Sequence, residues 1–125
     1  MSHAKRLVDR DAVRAAVRAF PELRSLVDLR RGGDWAFTAV VRHRAVVSLH
    51  GVRTWPGGWA DALGVLYTTD TQALRINDYG EVVWKRDGGL VDVIGALLEL
   101  PPPHARAAPR LAIGRAPTLW RPGGR

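Results

Sequence analysis

The stretch TQALRINDYGEVVWKR, residues 71–86, is the clearest fold signal in this chain of 125 residues. Apolar and polar residues alternate on both sides of Asp78-Tyr79-Gly80, which predicts two antiparallel strands joined by a three-residue connection. Gly80 is suited to the left-handed backbone that such a connection requires. The expected core-facing pairs are Ile76 with Val82 and Leu74 with Trp84. Arg75 and Lys85 are then expected to point outward.

A second hairpin is predicted upstream in WAFTAVVRHRAVVSLHGVR, residues 35–53, because β-branched and aromatic residues dominate it. A two-residue turn at His43-Arg44 gives three pairs on one face: Val41–Val46, Phe37–His50 and Trp35–Val52. The other face receives Val40, Val47 and Leu49. Both faces are therefore apolar, whereas a sheet with one wet face alternates more sharply. We expect helices to cover one face and the other helix, the C-terminal tail or a second copy of the chain to cover the other.

Two helices flank these strands. Residues 9–20 have helical periodicity, with Asp9 or Asp11 as the expected N-cap and Pro21 at the end. Residues 89–99 form the second predicted helix, which is apolar nearly all round and is expected to be buried on more than one side. A strand is favoured over 61–69, with a short helix as the alternative.

The fold class that follows is α+β: an N-terminal helix, an antiparallel meander of four to five strands, a C-terminal helix packed on the sheet and a basic tail. The predicted organisation is a flexible N-terminus at 1–8, one domain at 9–100 and a tail rich in proline and arginine at 101–125.

Composition excludes several classes of site. The chain has no cysteine, so it carries no disulfide, thiolate metal site or cysteine nucleophile. His43 and His50 would lie on different faces of the first hairpin, so a metal site there is not expected. No catalytic constellation, phosphate loop or cofactor motif is recognisable. Because no apolar run approaches a signal peptide or a membrane span, the expected location is cytoplasmic without membrane contact.

The net charge of +7 is unevenly distributed and supports nucleic-acid binding as an alternative function. Residues 1–31 carry +4, residues 32–103 carry −2 and residues 104–125 carry +5. The candidate phosphate-binding residues lie in the first helix and the tail: Arg10, Arg14, Arg18, Arg106, Arg110, Arg115, Trp120 and Arg121. The tail could instead be disordered, or dock on the sheet through Leu111, Ile113, Leu119 and Trp120. An arginine-rich composition is also typical of a GC-rich coding sequence.

The leading hypothesis is a non-catalytic interaction or regulatory module that acts through protein–protein contacts as a homodimer. Its candidate contact residues are the apolar face of the first hairpin and the loop WPGGW: Val40, Val47, Leu49, Trp55 and Trp59. Tryptophan is enriched at interface hot spots, although such residues also fold back over a core. A third hypothesis is a small-molecule or enzyme site between sheet and helix, with His50 and Tyr67 as its polar groups.

Overall fold

The computed structural model describes residues 4–24, 35–67 and 70–116. Within these residues, seven antiparallel strands form one sheet in sequence order, and one helix follows the first strand while another follows the sixth. The elements are β1 Lys5–Val8, α1 Asp9–Ala19, β2 Trp35–Arg42, β3 Ala45–Thr54, β4 Ala60–Tyr67, β5 Asp70–Ile76, β6 Glu81–Gly88, α2 Leu90–Glu99 and β7 Gly114–Arg115. The predicted α+β class is confirmed. The two strands beyond the expected four to five are β1 and β7, in segments assigned to the N-terminus and the tail.

Both helices pack on the same face of the sheet. Their buried residues form one core with alternate residues of the central strands: Ala12, Val13 and Ala16 of α1, Leu90, Val93, Ile94 and Leu97 of α2, and Phe37, Leu49, Leu63 and Ala73 of the sheet. The expectation that α2 is buried on several sides is wrong, because Val91 and Leu98 on its outer side are exposed. The sheet face opposite the helices carries no helix among the described residues.

The first hairpin has the predicted turn but a different register. His43 and Arg44 both have positive φ angles, of 52° and 63°, which suits a two-residue turn. The predicted pair Val41–Val46 is confirmed, but Val40 pairs with Ser48. Val47 is therefore an extra residue, a β-bulge that shifts all later pairs by one position.

This shift exchanges the two faces of β3. Phe37 pairs with Gly51 and Trp35 with Arg53, so the predicted pairs Phe37–His50 and Trp35–Val52 are wrong. Leu49 is 1% exposed in the core beneath the helices rather than on the surface beside Val40. His50 consequently lies on the face that the helices leave open.

The second hairpin departs from its prediction for the same physical reason. Gly80 has a φ of 77° and Ile76 pairs with Val82, both as expected. Val83 is an extra residue, however, so Arg75 pairs with Trp84 and Leu74 with Lys85. Arg75 faces the helix side and is completely buried, which contradicts its predicted outward orientation.

α1 follows β1 without a loop. Asp9 adopts a positive φ of 47°, and the helix has Val8 as its N-cap with no side-chain capping bond, so the prediction of Asp9 or Asp11 as N-cap is wrong. The helix ends at Ala19, just before Pro21 as the sequence predicts, and Pro21 starts a short 3₁₀ turn, Pro21–Leu23. Because the turn is sharp, α1 folds back along β1 and its C-terminal half lies beside Lys5 and Leu7.

The described part of the tail is attached to the edge of the sheet. The Ile113 amide donates to the carbonyl of Val82, and the Ala116 amide donates to the carbonyl of Gly80. Ala116 packs with Leu74, Ile76 and Val82 in a second small apolar cluster. Leu111 and Ile113 are exposed, so they do not dock as one of the tail hypotheses expects. Residues 26–30, for which the sequence predicts a strand or an extended link, lie outside the described residues, as do the tail residues Leu119, Trp120 and Arg121.

Candidate functional site

The face of the sheet opposite the helices, called here the open face, carries no helix among the described residues. Its central row crosses six strands in the order Val8, Thr38, His50, Gly64, Gln72 and Asp87. Val40, Ser48 and Val52 flank this row and are half-buried. The open face is therefore a mixed apolar and polar surface carried by rigid strands.

A cavity of about 380 Å3 lies on the open face beside His50. Gly64 has no side chain, and this leaves the floor of the cavity open between His50 and Gln72. Leu66 is the extra residue of a third bulge, since Val65 pairs with Thr71 and Tyr67 with Asp70, and it is 50% exposed at the rim. Sequence alternation could not reveal this cavity, because it depends on two bulges.

The acidic side of the cavity is formed by β5 and β6. The Gln72 side-chain amide donates to Asp87 Oδ1 over 2.9 Å, and Lys85 Nζ lies 3.5 Å from Asp87 Oδ2. Asp70 also lines the cavity and is exposed. At the other end of the same face, on β1, Arg6 is exposed and basic. The open face thus has opposite charges at its two ends.

The pKa of His50 depends both on the burial of its ring and on the charge of Arg6. Desolvation of its ring by the sheet lowers the pKa of His50 below its ordinary value of 6.5, and the positive charge of Arg6 lowers it further. The imidazole is therefore predominantly neutral at neutral pH.

We predict that Arg6→Gln raises the pKa of His50, measured by NMR titration of the imidazole, because it removes one of the two causes of the shift. Arg10→Gln on the outer side of α1 is the matched control and should leave that pKa unchanged. Because the folded-state pKa is lowered, the unfolded chain binds the proton more readily. The contribution of His50 to stability should therefore decrease as the pH falls below 6.5. Equal changes of the His50 pKa in Arg6→Gln and Arg10→Gln would contradict a specific effect of Arg6.

The polar groups of the open face are spread out rather than converging on one point. His50 on β3 and Asp87 on β6 lie three strand spacings apart, about 14 Å, which is too far for a shared proton. Among the described residues, no group of three or more histidines and carboxylates could hold a metal ion. The arrangement is better suited to contact with a complementary surface than to acid–base chemistry.

The structure separates the predicted contact residues. Val40 lies on the open face and Val47 is exposed at the bulge, whereas Leu49 is in the core. Trp55 and Trp59 are half-buried, and the Trp55 amide donates to the Trp59 carbonyl across the loop. These five residues therefore do not form one continuous surface.

Trp55 belongs to a buried network that the sequence did not predict. Its indole N–H donates to Asp61 Oδ2 over 3.0 Å, and Arg75 donates to both Asp61 oxygens, over 2.6 and 3.0 Å. A further Arg75 N–H donates to the carbonyl of Pro101 beyond α2. Arg53 lies over the Trp55 ring at 4.0 Å. The network joins the tryptophan loop, β4, β5 and the segment after α2.

The candidate phosphate-binding residues lie at two edges of the sheet. Arg10, Arg14 and Arg18 are exposed on α1, which packs on β2 and β3, whereas Arg115 is in β7 at the other edge. Arg106 and Arg110 are exposed in the segment before β7. The two basic segments are thus separated by the width of the sheet.

His50 lies on the face away from the helices, so it does not line a pocket between sheet and helix as the third hypothesis requires. The side chain of Tyr67 lies outside what the structure describes. None of the helices in the described segments is long and apolar enough to cross a membrane. Comparison of the chain with protein-family models, curated proteins and solved structures finds no match.

Proposed function

We propose that this chain is a non-catalytic interaction module that acts through protein–protein contacts, and that two copies associate through the open face. The observation that carries this proposal is the composition of that face: exposed apolar side chains among small polar ones, with a basic end and an acidic end. The next three features support it.

The open face carries more exposed apolar side chains than a solvated sheet surface requires. Val8 is 57% exposed, Leu66 is 50% exposed, and Val40 and Val52 are half-buried among the small polar side chains of Thr38 and Ser48. Antiparallel sheets with one wet face carry polar residues there. A covering surface would remove these side chains from water, which stabilises by roughly 25 cal/mol per Å2 of apolar area.

The charges of the open face are self-complementary. A twofold axis parallel to the strands and passing over β3 sets β1 of one copy against β5 of the other. Arg6 then faces Asp70 of the second copy, and Asp87 lies on the strand next to it. An interface of this kind uses the same patch on both subunits, as most symmetric dimers do.

His50 lies next to the proposed axis, so the two imidazoles approach each other in the dimer. The lowered pKa of His50 keeps both neutral at neutral pH and avoids repulsion between like charges. Protonation at lower pH would introduce that repulsion. The proposal therefore implies a dimer that weakens below the folded-state pKa of His50.

We predict that Arg6→Glu and Asp70→Arg each weaken dimerisation by about tenfold or more, because each sets like charges against one another. The double variant Arg6→Glu/Asp70→Arg restores opposite charges and should recover most of the affinity. Sedimentation equilibrium over a range of protein concentrations measures the dissociation constant of each protein.

Arg10→Glu supplies the control, since it makes the same charge change on the outer side of α1 and should leave the dimer intact. A parent protein that stays monomeric at high concentration would overturn the proposal. So would a double variant that is weaker than either single variant, because the two charges would then not face each other.

A further inference from the structure

A second surface lies at the edge of the sheet, away from the open face. It is a groove of about 300 Å3 between β1, the C-terminal half of α1 and the tip of the β2–β3 hairpin, called here the basic groove. Its floor is apolar, with Leu7, Val41 and Val46 beside two alanines of α1. Its rim carries three cations: Lys5, Arg18 and Arg44.

The three cations of the rim come from three elements, so their proximity depends on the tertiary fold. Lys5 is on β1, Arg18 is in the last turn of α1 and Arg44 is in the hairpin turn. None of them forms an ion pair with another described residue. No carboxylate is among the described residues that line the groove. The rim therefore presents uncompensated positive charge.

The acidic residues of α1 do not neutralise this rim. Asp9 and Asp11 are in the first turn of the helix, whereas Ala15, Arg18 and Ala19 line the groove. Seven residues of helix separate Asp11 from Arg18, which corresponds to about 10 Å along the axis. The carboxylates of α1 are therefore out of hydrogen-bonding reach of the cations at the groove.

The charge of the rim restricts which segment can bind in the groove. Lys5, Arg18 and Arg44 are exposed, so a basic segment would bring like charges together. An acidic segment meets no such repulsion.

We propose that the basic groove binds an extended, acidic segment of a partner protein. The segment lies along the groove, sets an apolar side chain against Leu7, Val41 and Val46, and sets carboxylates against Lys5, Arg18 and Arg44. The apolar floor favours a peptide over a nucleic-acid backbone, which would leave that floor uncovered. This inference goes beyond the homodimer, because the groove and the open face use different surfaces.

The probe is a fluorescein-labelled peptide of about eight residues, a usual strand length, in which glutamate alternates with valine or leucine. Fluorescence anisotropy at physiological salt measures its binding to the full chain. We expect the acidic peptide to bind, and its counterparts with lysine for glutamate or with serine for the apolar residues to bind at least about tenfold more weakly. NMR should show the largest shifts at the amides of the groove residues Leu7, Val41 and Val46.

Arg18→Glu and Arg44→Glu should each weaken binding of the acidic peptide by about tenfold, because each reverses one rim charge. Both side chains are exposed, and circular dichroism establishes that the variants fold. Arg10→Glu makes the same charge change outside the groove and should leave binding unchanged.

Three results would overturn the inference. The first is no binding of the acidic peptide at millimolar concentration. The second is equal binding of the serine-substituted peptide, which would mean unspecific charge attraction. The third is tighter binding of single-stranded or duplex DNA that is weakened by Arg10→Glu as much as by Arg18→Glu, which would favour a phosphate-binding α1 instead. Because dimerisation is measured separately by sedimentation, a failure here is distinguishable from a failure of the homodimer proposal.

Discussion

Replacing Asp61 with alanine is expected to lower the free energy of unfolding by about 3–5 kcal/mol, because it leaves the charge of Arg75 buried without its counter-ion. The Arg75 side chain has no solvent exposure, and that of Asp61 has 5%. The substitution also removes the acceptor of the Trp55 indole N–H. Urea denaturation followed by tryptophan fluorescence measures the change.

Three further variants test the cause of this effect. Asp61→Asn keeps the size and an acceptor oxygen but loses the charge. Its free energy of unfolding should therefore lie between those of the parent and of Asp61→Ala. Asp61→Leu/Arg75→Met removes both charges and should recover part of the loss, since Trp55 and the Pro101 carbonyl still lack partners. Asp87→Ala removes the carboxylate of the exposed Lys85–Asp87 ion pair. Its midpoint of urea denaturation should stay near that of the parent. Equal effects of Asp61→Ala and Asp87→Ala would contradict a buried ion pair.

Gly51→Ala is expected to destabilise the fold by about 1–3 kcal/mol through overpacking. The added Cβ would lie 2.7 Å from Phe37 Cε1 and 2.9 Å from Phe37 Cδ1. Phe37 cannot withdraw easily, because it is 1% exposed and stacks on Trp35 with ring centroids 5.9 Å apart. Thermal unfolding of the variant beside the parent measures the effect.

Gly95→Ala is the matched control for that substitution. Gly95 lies within α2, and a Cβ there would meet no atom within 4 Å. Alanine is a better helix former than glycine by about 0.8–1.0 kcal/mol, so this variant should be more stable than the parent. A Gly51→Ala protein as stable as the parent would show that β3 does not have the register given by its bulge.

Gly51→Ala also tests the bulge at Val47, because that bulge positions both Gly51 and His50. Without the extra residue, His50 would oppose Phe37 in the core and Gly51 would lie on the open face. With it, a residue without a side chain opposes Phe37 and the imidazole lies beside the cavity. The side chains that form the proposed interface therefore depend on a shift of one residue in the register of β3.

The limits of sequence alternation also explain why the predicted outward orientation of Arg75 is wrong. Strict alternation from Ile76 places Arg75 outward, and it does lie on the face opposite to Ile76. That face, however, is the one that the helices cover. Alternation in one strand cannot indicate which face is buried when both neighbours, Leu74 and Ile76, are also buried.

Much of the local structure was determined by the sequence itself. Periodicity predicted α1 and α2, and the prolines at 21 and 101–103 mark their ends. β-branched and aromatic residues on both sides of His43-Arg44 predicted the first hairpin, and turn chemistry predicted the second, where Gly80 adopts the expected positive φ angle. These features depend on residues close together in the chain, whose backbone preferences act before any packing.

The candidate sites were decided by the tertiary structure alone. β1 and β7 were not predicted, because two to four residues carry too little periodicity without the strand beside them. The bulges at Val47 and Val83 exchange the faces of whole strands, and no local pattern indicates them. Lys5, Arg18 and Arg44 come together only when α1 folds back on β1 beside the hairpin. Charge and hydrophobicity were present in the sequence, but register and packing fixed which surfaces they form.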